Sequence, residues 1–546
     1  MRLFFIHSSS HFGRKIPASE EIMATVTYHF PAGLYPNSYN PPLSGVSVNP
    51  SFGDLVDMHK ASRSTTTSTD VLYRLDNGLK VKLVGTGFSF DADGDAVGGT
   101  VTSIEVLLNN GTALVQTITG LNLSLENFQD AAAAFDSARL ESWLLSGDDT
   151  INGSVGDDEL SGHLGNDVLN ANDGNDLVTG GGGADTYDGG AGLDTLNFQD
   201  AYDASTAVRG ISLDASAGTV IDQFGHSETF QNFEEFRGTQ FSDTMIGSSV
   251  DETFMGLGGR DTIDGGAGTD TVRYDRDVQR GATKGVSVNL GTGVATDSFG
   301  SKDTLSGIEN IRATDFKDTI VGNSASNFIR AFAGNDIIDG GSGADNMRGG
   351  KGNDTYFVSS NSDIIDEKGD SGSGIDTVQS INSFNLANTA TVLGDVENLT
   401  LLGSANNGSG NALANVIIGN ASNNLLNGAR GKDTLTGGTG NDTFFFNSTL
   451  SSLSNVDTIT DFNVADDTMR LENANFTAIV GTGVLTAGQF VSNTSGLAAD
   501  ADDRMIYETD TGNIYYDSDG NGAGGRVHIA VLGTNLGITA ADFFVV

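Results

Sequence analysis

From Ser146 to Gln199 the chain repeats itself every nine residues, six times without a gap: SGDDTINGS, VGDDELSGH, LGNDVLNAN, DGNDLVTGG, GGADTYDGG, AGLDTLNFQ. Glycine returns at Gly147, Gly156, Gly165, Gly174, Gly183 and Gly192. Two residues after each glycine stands an aspartate, and two after that an apolar residue: Ile151, Leu160, Leu169, Val178, Tyr187, Leu196. Glycine supplies a tight turn without a Cβ penalty. The apolar residue with outward-facing neighbours on either side describes a very short strand. One such unit buries almost nothing, so the units must stack. Two turn–strand units closing one coil give an 18-residue period. Asp149, Asp167 and Asp185 then lie along one edge, and Asp158, Asp176 and Asp194 along the other. At the strand spacing of about 4.8 Å, stacked carboxylates need a cation between them.

The same frame returns three more times. It runs from Gln240 (QFSDTMIGS, SVDETFMGL, GGRDTIDGG, AGTDTVRYD), from Asp315 (DFKDTIVGN onward to KGNDTYFVS) and from Gly403 (GSANNGSGN onward to TGNDTFFFN). Residues 211–248 also align with 286–323 at a constant offset without gaps, sharing Asp222/Asp297, Glu234/Glu309 and Asp243/Asp318 among others. Each copy is a β-rich spacer feeding a repeat block, and a third spacer ends in VENLTLLG at 396–403. The expected organisation is therefore 23–145 as an N-terminal β-rich domain, 146–198 as block one, 199–278, 279–359 and 360–446 as three spacer-plus-block modules, and 447–546 as a C-terminal cap. Residues 1–22 are expected to be an overhang before a start at Met23. Aromatic residues at the block ends (Phe198, Tyr274, Tyr356 with Phe357, Phe444 to Phe446) are expected to close the exposed core, as atypical terminal units do in solenoids.

The chain has 71 acidic and 28 basic residues, a formal charge of −43, and no cysteine. That balance argues against binding nucleic acid, which runs on Lys and Arg neutralising phosphates, and against anionic membrane surfaces. Without cysteine there are no disulfides, thiol nucleophiles or Cys-based zinc sites. Carboxylates and turn carbonyls are the oxygen donors that suit Ca2+.

These units resemble the glycine- and aspartate-rich nonapeptides of the RTX (repeats-in-toxin), haemolysin-type calcium-binding proteins. The resemblance covers about 146–446 with spacers. It implies an all-β fold, a parallel β-roll (β-solenoid) that binds several Ca2+ ions. Carried over residue by residue, the metal role falls on Asp149, Asp158, Asp167, Asp176, Asp185, Asp194, Asp261, Asp270, Asp336, Asp345, Asp354, Asp433 and Asp442. Glu252, Asn327, Asn415 and Asn424 depart from aspartate, and uncharged Asn is expected to maintain a coil without metal. Residues 447–546, ending in ADFFVV, look like the C-terminal region of RTX proteins and serralysin-type secreted proteases. That likeness implies an uncleaved C-terminal signal, a type I secretion apparatus as partner and an extracellular location. It fits an N-terminal apolar patch shorter than the ~7–15 residues of a secretory signal core.

No H-E-x-x-H, G-x-S-x-G or P-loop occurs. Asp517, Asp519, Asn521 and Gly522 begin like a calcium loop, but the twelfth position is His528 rather than Glu; a hairpin turn is expected, and a polar turn at Asp91, Asp93 and Asp95. His59 with Asp54 and Asp57 is read as a surface cluster. A helix is expected at 125–144. The expected function is a secreted calcium-binding module, not an enzyme, acting on a surface glycan or protein without membrane insertion. The alternatives are an enzyme with its site in 23–145 or a spacer, and a cytolysin.

Overall fold

The computed structural model describes residues 23–29, 56, 58, 61–108, 113–199, 207–368 and 374–546. The expectations for 1–22 and for Asp54, Asp57 and His59 lie outside them. The chain divides into two compact units, Met1–Val272 with Lys302–Ile308, and Arg273–Ser301 with Glu309–Val546. Both are nearly all β, and both are built on parallel β-roll coils.

In the first unit, five antiparallel strands follow one another: Ser62–Thr66, Asp70–Arg74, Lys80–Phe90, Ala96–Leu107 and Leu114–Ser124. Asp91 accepts N–H groups from Asp93 and Asp95 in the turn between the third and fourth, which is the polar turn expected there. The expected single helix is two helices, Leu125–Ala134 and Ser137–Leu144. The break has a local cause: the Asp136 side chain caps the second helix by accepting from Arg139 N–H at 3.0 Å, the role for which aspartate is favoured at an N-cap. Strand Thr25–Tyr28 joins this sheet to the roll. It pairs antiparallel with the last strand (Val26 opposite Ile118) and parallel with Thr150–Asn152 (Val26 opposite Ile151).

From there the 18-residue coil holds. Ile151, Leu169 and Tyr187 stack in register along one parallel sheet, and Leu160, Val178 and Leu196 along the other. All six are at most 1% exposed. Each short strand buries its middle residue and leaves the flanking ones outside, as strand alternation dictates.

The first spacer inserts three strands, Ser212–Asp214, Thr219–Ile221 and Ser227–Gln231. They are antiparallel to one another, and the outer two run parallel to repeat strands (Phe230 opposite Tyr187, Leu213 opposite Met245). The second copy places strands at Ser287–Asn289, Val294–Thr296 and Lys302–Ser306, the same positions 75 residues on. The third spacer differs. Its strands Thr377–Ser380 and Asn398–Leu401 stay parallel with Thr355–Val358, so it lengthens the coil instead of folding back.

In the second unit the stack runs Ile320, Ile338, Tyr356, Val378, Leu399, Ile417, Leu435 and Ile459 on one face. The C-terminal strand Phe543–Val545 pairs parallel with Thr468–Leu471, and Val527–Val531 pairs parallel with Asp457–Ile459. Asn513–Tyr516 and Val527–Val531 flank the Asp517–Gly522 stretch as an antiparallel pair, which makes it the expected hairpin turn. Phe198, Tyr274, Tyr356, Phe444 and Phe446 are buried and Phe357 and Phe445 half-buried, but those of the third and fourth blocks do not close the stack. Strands Thr355–Val358 and Thr443–Phe446 each have parallel neighbours on both sides. The large rings fill the core where a following spacer changes the coil length.

Candidate metal centres

The aspartates of the repeats form two ladders. Asp149 N–H donates to Asp167 Oδ1 at 2.7 Å, and Asp167 N–H to Asp185 Oδ1 at 2.8 Å. On the other edge Asp158 donates to Asp176 at 2.7 Å and Asp176 to Asp194 at 2.8 Å. The other blocks repeat the contact: Asp243 to Asp261, Glu252 to Asp270, Asp318 to Asp336, Asn327 to Asp345, Asp336 to Asp354, Asn415 to Asp433 and Asn424 to Asp442, all at 2.7–2.9 Å. Asp149 closes its ladder by accepting from Ala24 N–H.

One oxygen of each carboxylate is thus spoken for. The other is buried and has no hydrogen-bond partner in Asp149, Asp167, Asp176, Asp194, Asp336, Asp345, Asp354, Asp433 and Asp442. Such a group is costly unless something compensates its charge. In six of the nine the space around it is kept open by a glycine five residues earlier: Gly162, Gly189, Gly340, Gly349, Gly428 and Gly437. A Cβ on Gly162 would lie 2.5 Å from Asp167 Oδ2 and 2.6 Å from the Gly180 carbonyl oxygen. At Gly162 a bare carboxylate oxygen thus lies beside a main-chain carbonyl oxygen. That donor set suits a hard cation such as Ca2+.

Burial is the main cause that lifts these carboxyls above their ordinary range. It carries Asp167 to about 9, Asp176 and Asp336 to about 8, Asp149 to about 7, and Asp185, Asp194 and Asp345 to about 6; N–H donors offset it in part. At neutral pH the turns of Asp167, Asp176 and Asp336 therefore call for a proton or a metal ion.

Not every coil asks for one. In Asn327 the side-chain amide donates to the Glu309 carbonyl at 2.7 Å while its oxygen accepts from Asn323 N–H. Asn415 and Asn424 do the same toward Glu397 and Ala405. These side chains bring no anionic oxygen of their own to the turn. Asp243 and Asp318, which open blocks behind spacers, have both oxygens occupied by the main chain and hydroxyl of Thr239 and Thr314.

The ladders also continue where the nine-residue count stops. Glu234 accepts from Asp194, Asp303 from Asp261, Asp363 from Asp345, Asp376 from Asp354, Glu397 from Asp376, Asp457 from Asp433 and Asp467 from Asp442. Nonapeptide counting reaches Asp363, nine residues after Asp354, but none of the others. Their signal is local: each stands two residues before a buried apolar one, such as Phe236, Leu305, Val378 or Met469.

The description "RTX calcium-binding nonapeptide repeat (4 copies)" matches residues 145–169, 161–196, 246–277, 312–347, 321–356, 331–365 and 409–444. No curated protein matches. Among solved structures, the crystal structure of the extracellular lipase LipA from Serratia marcescens matches at 15% identity over 73% of this chain, with a TM-score of 0.16. The match spans 40% of that lipase. The matched repeats lie on the coils whose aspartates form the ladders, and repeats of this kind bind Ca2+ at multiple sites. Over these stretches the chain carries RTX calcium-binding nonapeptide repeats.

Proposed function

We propose that the protein is secreted and works outside the cell as a binding or structural module, with calcium as the switch for its folding. The observation that supports this reading is the row of buried carboxylate oxygens without a hydrogen-bond donor. In this reading the ions are held by Asp149, Asp158, Asp167, Asp176, Asp185, Asp194, Asp261, Asp270, Asp336, Asp345, Asp354, Asp433 and Asp442, together with turn carbonyls. Bound calcium supplies positive charge between coils. Each carboxylate meanwhile holds the N–H of the residue one coil earlier, so filling one turn fixes the next. Where Ca2+ is scarce the acidic chain stays expanded and fit for type I export. Outside, where Ca2+ is plentiful, even the weaker class of calcium sites, with dissociation constants of about 10⁻⁴–10⁻³ M, fills, and binding to the folded form alone pulls the chain into it. A surface glycan or protein is the proposed partner of the assembled module.

The edge arrangement gives a specific test. Asp167→Ala removes the acceptor for Asp149 N–H and leaves Asp158, Asp176 and Asp194 untouched. Ion density in calcium-bound crystals of the variant is expected to fall at the turns of Asp149, Asp167 and Asp185 and to persist on the other edge; equal loss on both edges counts against the assignment. The choice of a module over an enzyme is tested with polysaccharide, ester and peptide substrates. No turnover is expected, and turnover abolished by deleting 23–145 would replace this reading with an enzymatic one.

A further inference from the structure

Where the third block runs into its spacer, three acids meet inside the roll. Asp354 precedes strand Thr355–Val358, Asp376 precedes its parallel neighbour Thr377–Ser380, and Glu367 follows strand Ile364–Asp366 of the other sheet. One oxygen from each comes within 4.8 Å of the other two. The residues are 1%, 0% and 5% exposed.

Proximity of acids alone does not make a site, but the hydrogen bonding is informative. Asp354 Oδ1 accepts from Asp336 N–H and Asp376 Oδ1 from Asp354 N–H, both at 2.8 Å. The Oδ2 atoms of Asp354 and Asp376 have no partner at all. Tyr356 lies on the strand that follows Asp354. Its hydroxyl donates to Glu367 and accepts from Gly349 N–H at 2.7 Å, so its one hydrogen is already used. Two buried anionic oxygens therefore face a third carboxylate with no donor supplied to them.

The counterpart in the first unit resolves its charge differently. Tyr187 donates to Glu228 at 2.9 Å and lies 3.3 Å from Asp185 Oδ2, so one hydroxyl serves both acids. At Asp354 the hydroxyl hydrogen goes to Glu367 instead, and neither aspartate receives it.

We propose that Asp354, Glu367 and Asp376 form a closed site for a single hard divalent cation, in which Glu367, from the other sheet, joins the ladder aspartates Asp354 and Asp376. Three carboxylates with a phenol oxygen alongside match calcium's preference for oxygen ligands. The identity of the ion as calcium rests on the function proposed above; the existence of the site does not.

The test uses the full chain. Bound Ca2+ is counted by equilibrium dialysis, and Tb3+ is titrated with excitation of tyrosine, because Tyr356 touches the site. Glu367→Gln is expected to bind one ion fewer per chain while keeping its calcium-induced β signal in circular dichroism. Tyr356→Phe is expected to keep the ion count and lose part of the tyrosine-sensitised Tb3+ emission. A wild-type ion count in Glu367→Gln overturns the proposal. Should Glu367→Gln fail to fold, Tyr356→Phe decides: reduced emission at an unchanged ion count supports the site, and unchanged emission overturns it. Failure of the calcium-folding reading shows separately, as a wild-type chain that neither gains β structure nor binds Ca2+. Tyr356-dependent Tb3+ emission from that chain would still support the cation site, and its absence would overturn it.

Discussion

In chelator at pH 7.5 the full chain is expected to lose most of its far-UV β signal, and Ca2+ added to about 10 mM is expected to restore it in one steep step. The reason is the chemistry of the turns. Carboxylates such as Asp167, Asp336 and Asp433 are 1% exposed, and each has one oxygen without a donor. Ionised and uncompensated, each opposes folding, and the chain's net charge of −43 adds to the effect. A site held at a hundred times its dissociation constant contributes about 2.7 kcal/mol. Several such sites outweigh the ~5–15 kcal/mol by which domains are ordinarily stable. The step should be steep because each coil is bonded to its neighbours, as in other one-dimensional repeat arrays. Mg2+ should fail to substitute, since it demands tight octahedral geometry and gives up its waters reluctantly. A β spectrum present in chelator and unmoved by Ca2+ would overturn the folding switch.

Acid should do part of what calcium does. Asp167 at about 9, Asp176 and Asp336 at about 8, and Asp149 and Asp376 at about 7 all lie above the ordinary value for aspartate, with burial as the first cause. Between about pH 4, the ordinary aspartate value, and these raised values, the metal-free fold holds protons that the unfolded chain has released. Its stability is therefore fully present below about pH 4 and falls as pH rises through the window. In chelator, β content at pH 5 is expected to exceed that at pH 8. With calcium the dependence inverts, because the metal needs the ionised carboxylate, and the Ca2+ midpoint should climb as pH falls. High salt at pH 8 is the control. It screens the net charge without protonating the turns, and should leave the chelated chain a coil. Equal β content at pH 5 and pH 8 in chelator would refute the argument.

Most of the roll was legible because its rule is short. A glycine, an aspartate two later and an apolar residue two later again are enough to set the coil, the two edges and the register of Ile151 on Leu169. The constant offset between the first two spacers carried over to the same strand positions. What escaped had physical causes. Asp136 broke a continuous apolar pattern by capping a second helix. The third spacer contains strand signals like the others, yet its strands stay parallel, and only the pairing partners distinguish the two arrangements. The block-end aromatics looked like lids because their size marks a change, which turned out to be a change of coil length. Glu234, Asp303, Asp376 and Asp467 sit in ladder positions that nine-residue counting skips. A search for an acid two residues before an inward apolar residue would have found them. Glu367 follows no such rule. It belongs to the opposite sheet and reaches Asp354 and Asp376 only through the fold.

The strands at the two ends of the chain bear on self-association. A parallel stack of short strands offers its first and last strand as a template for another molecule, and end-to-end growth into fibres is the usual hazard of an open sheet edge. Here the edge at Thr150–Asn152 is taken by Thr25–Tyr28, which turns the sheet antiparallel. The edges at Thr468–Leu471 and Asp457–Ile459 are taken by Phe543–Val545 and Val527–Val531. The flanking regions thus act as stops at these edges, and a repeat cassette cut out between residues 146 and 446 would bare strand edges that the intact chain covers there.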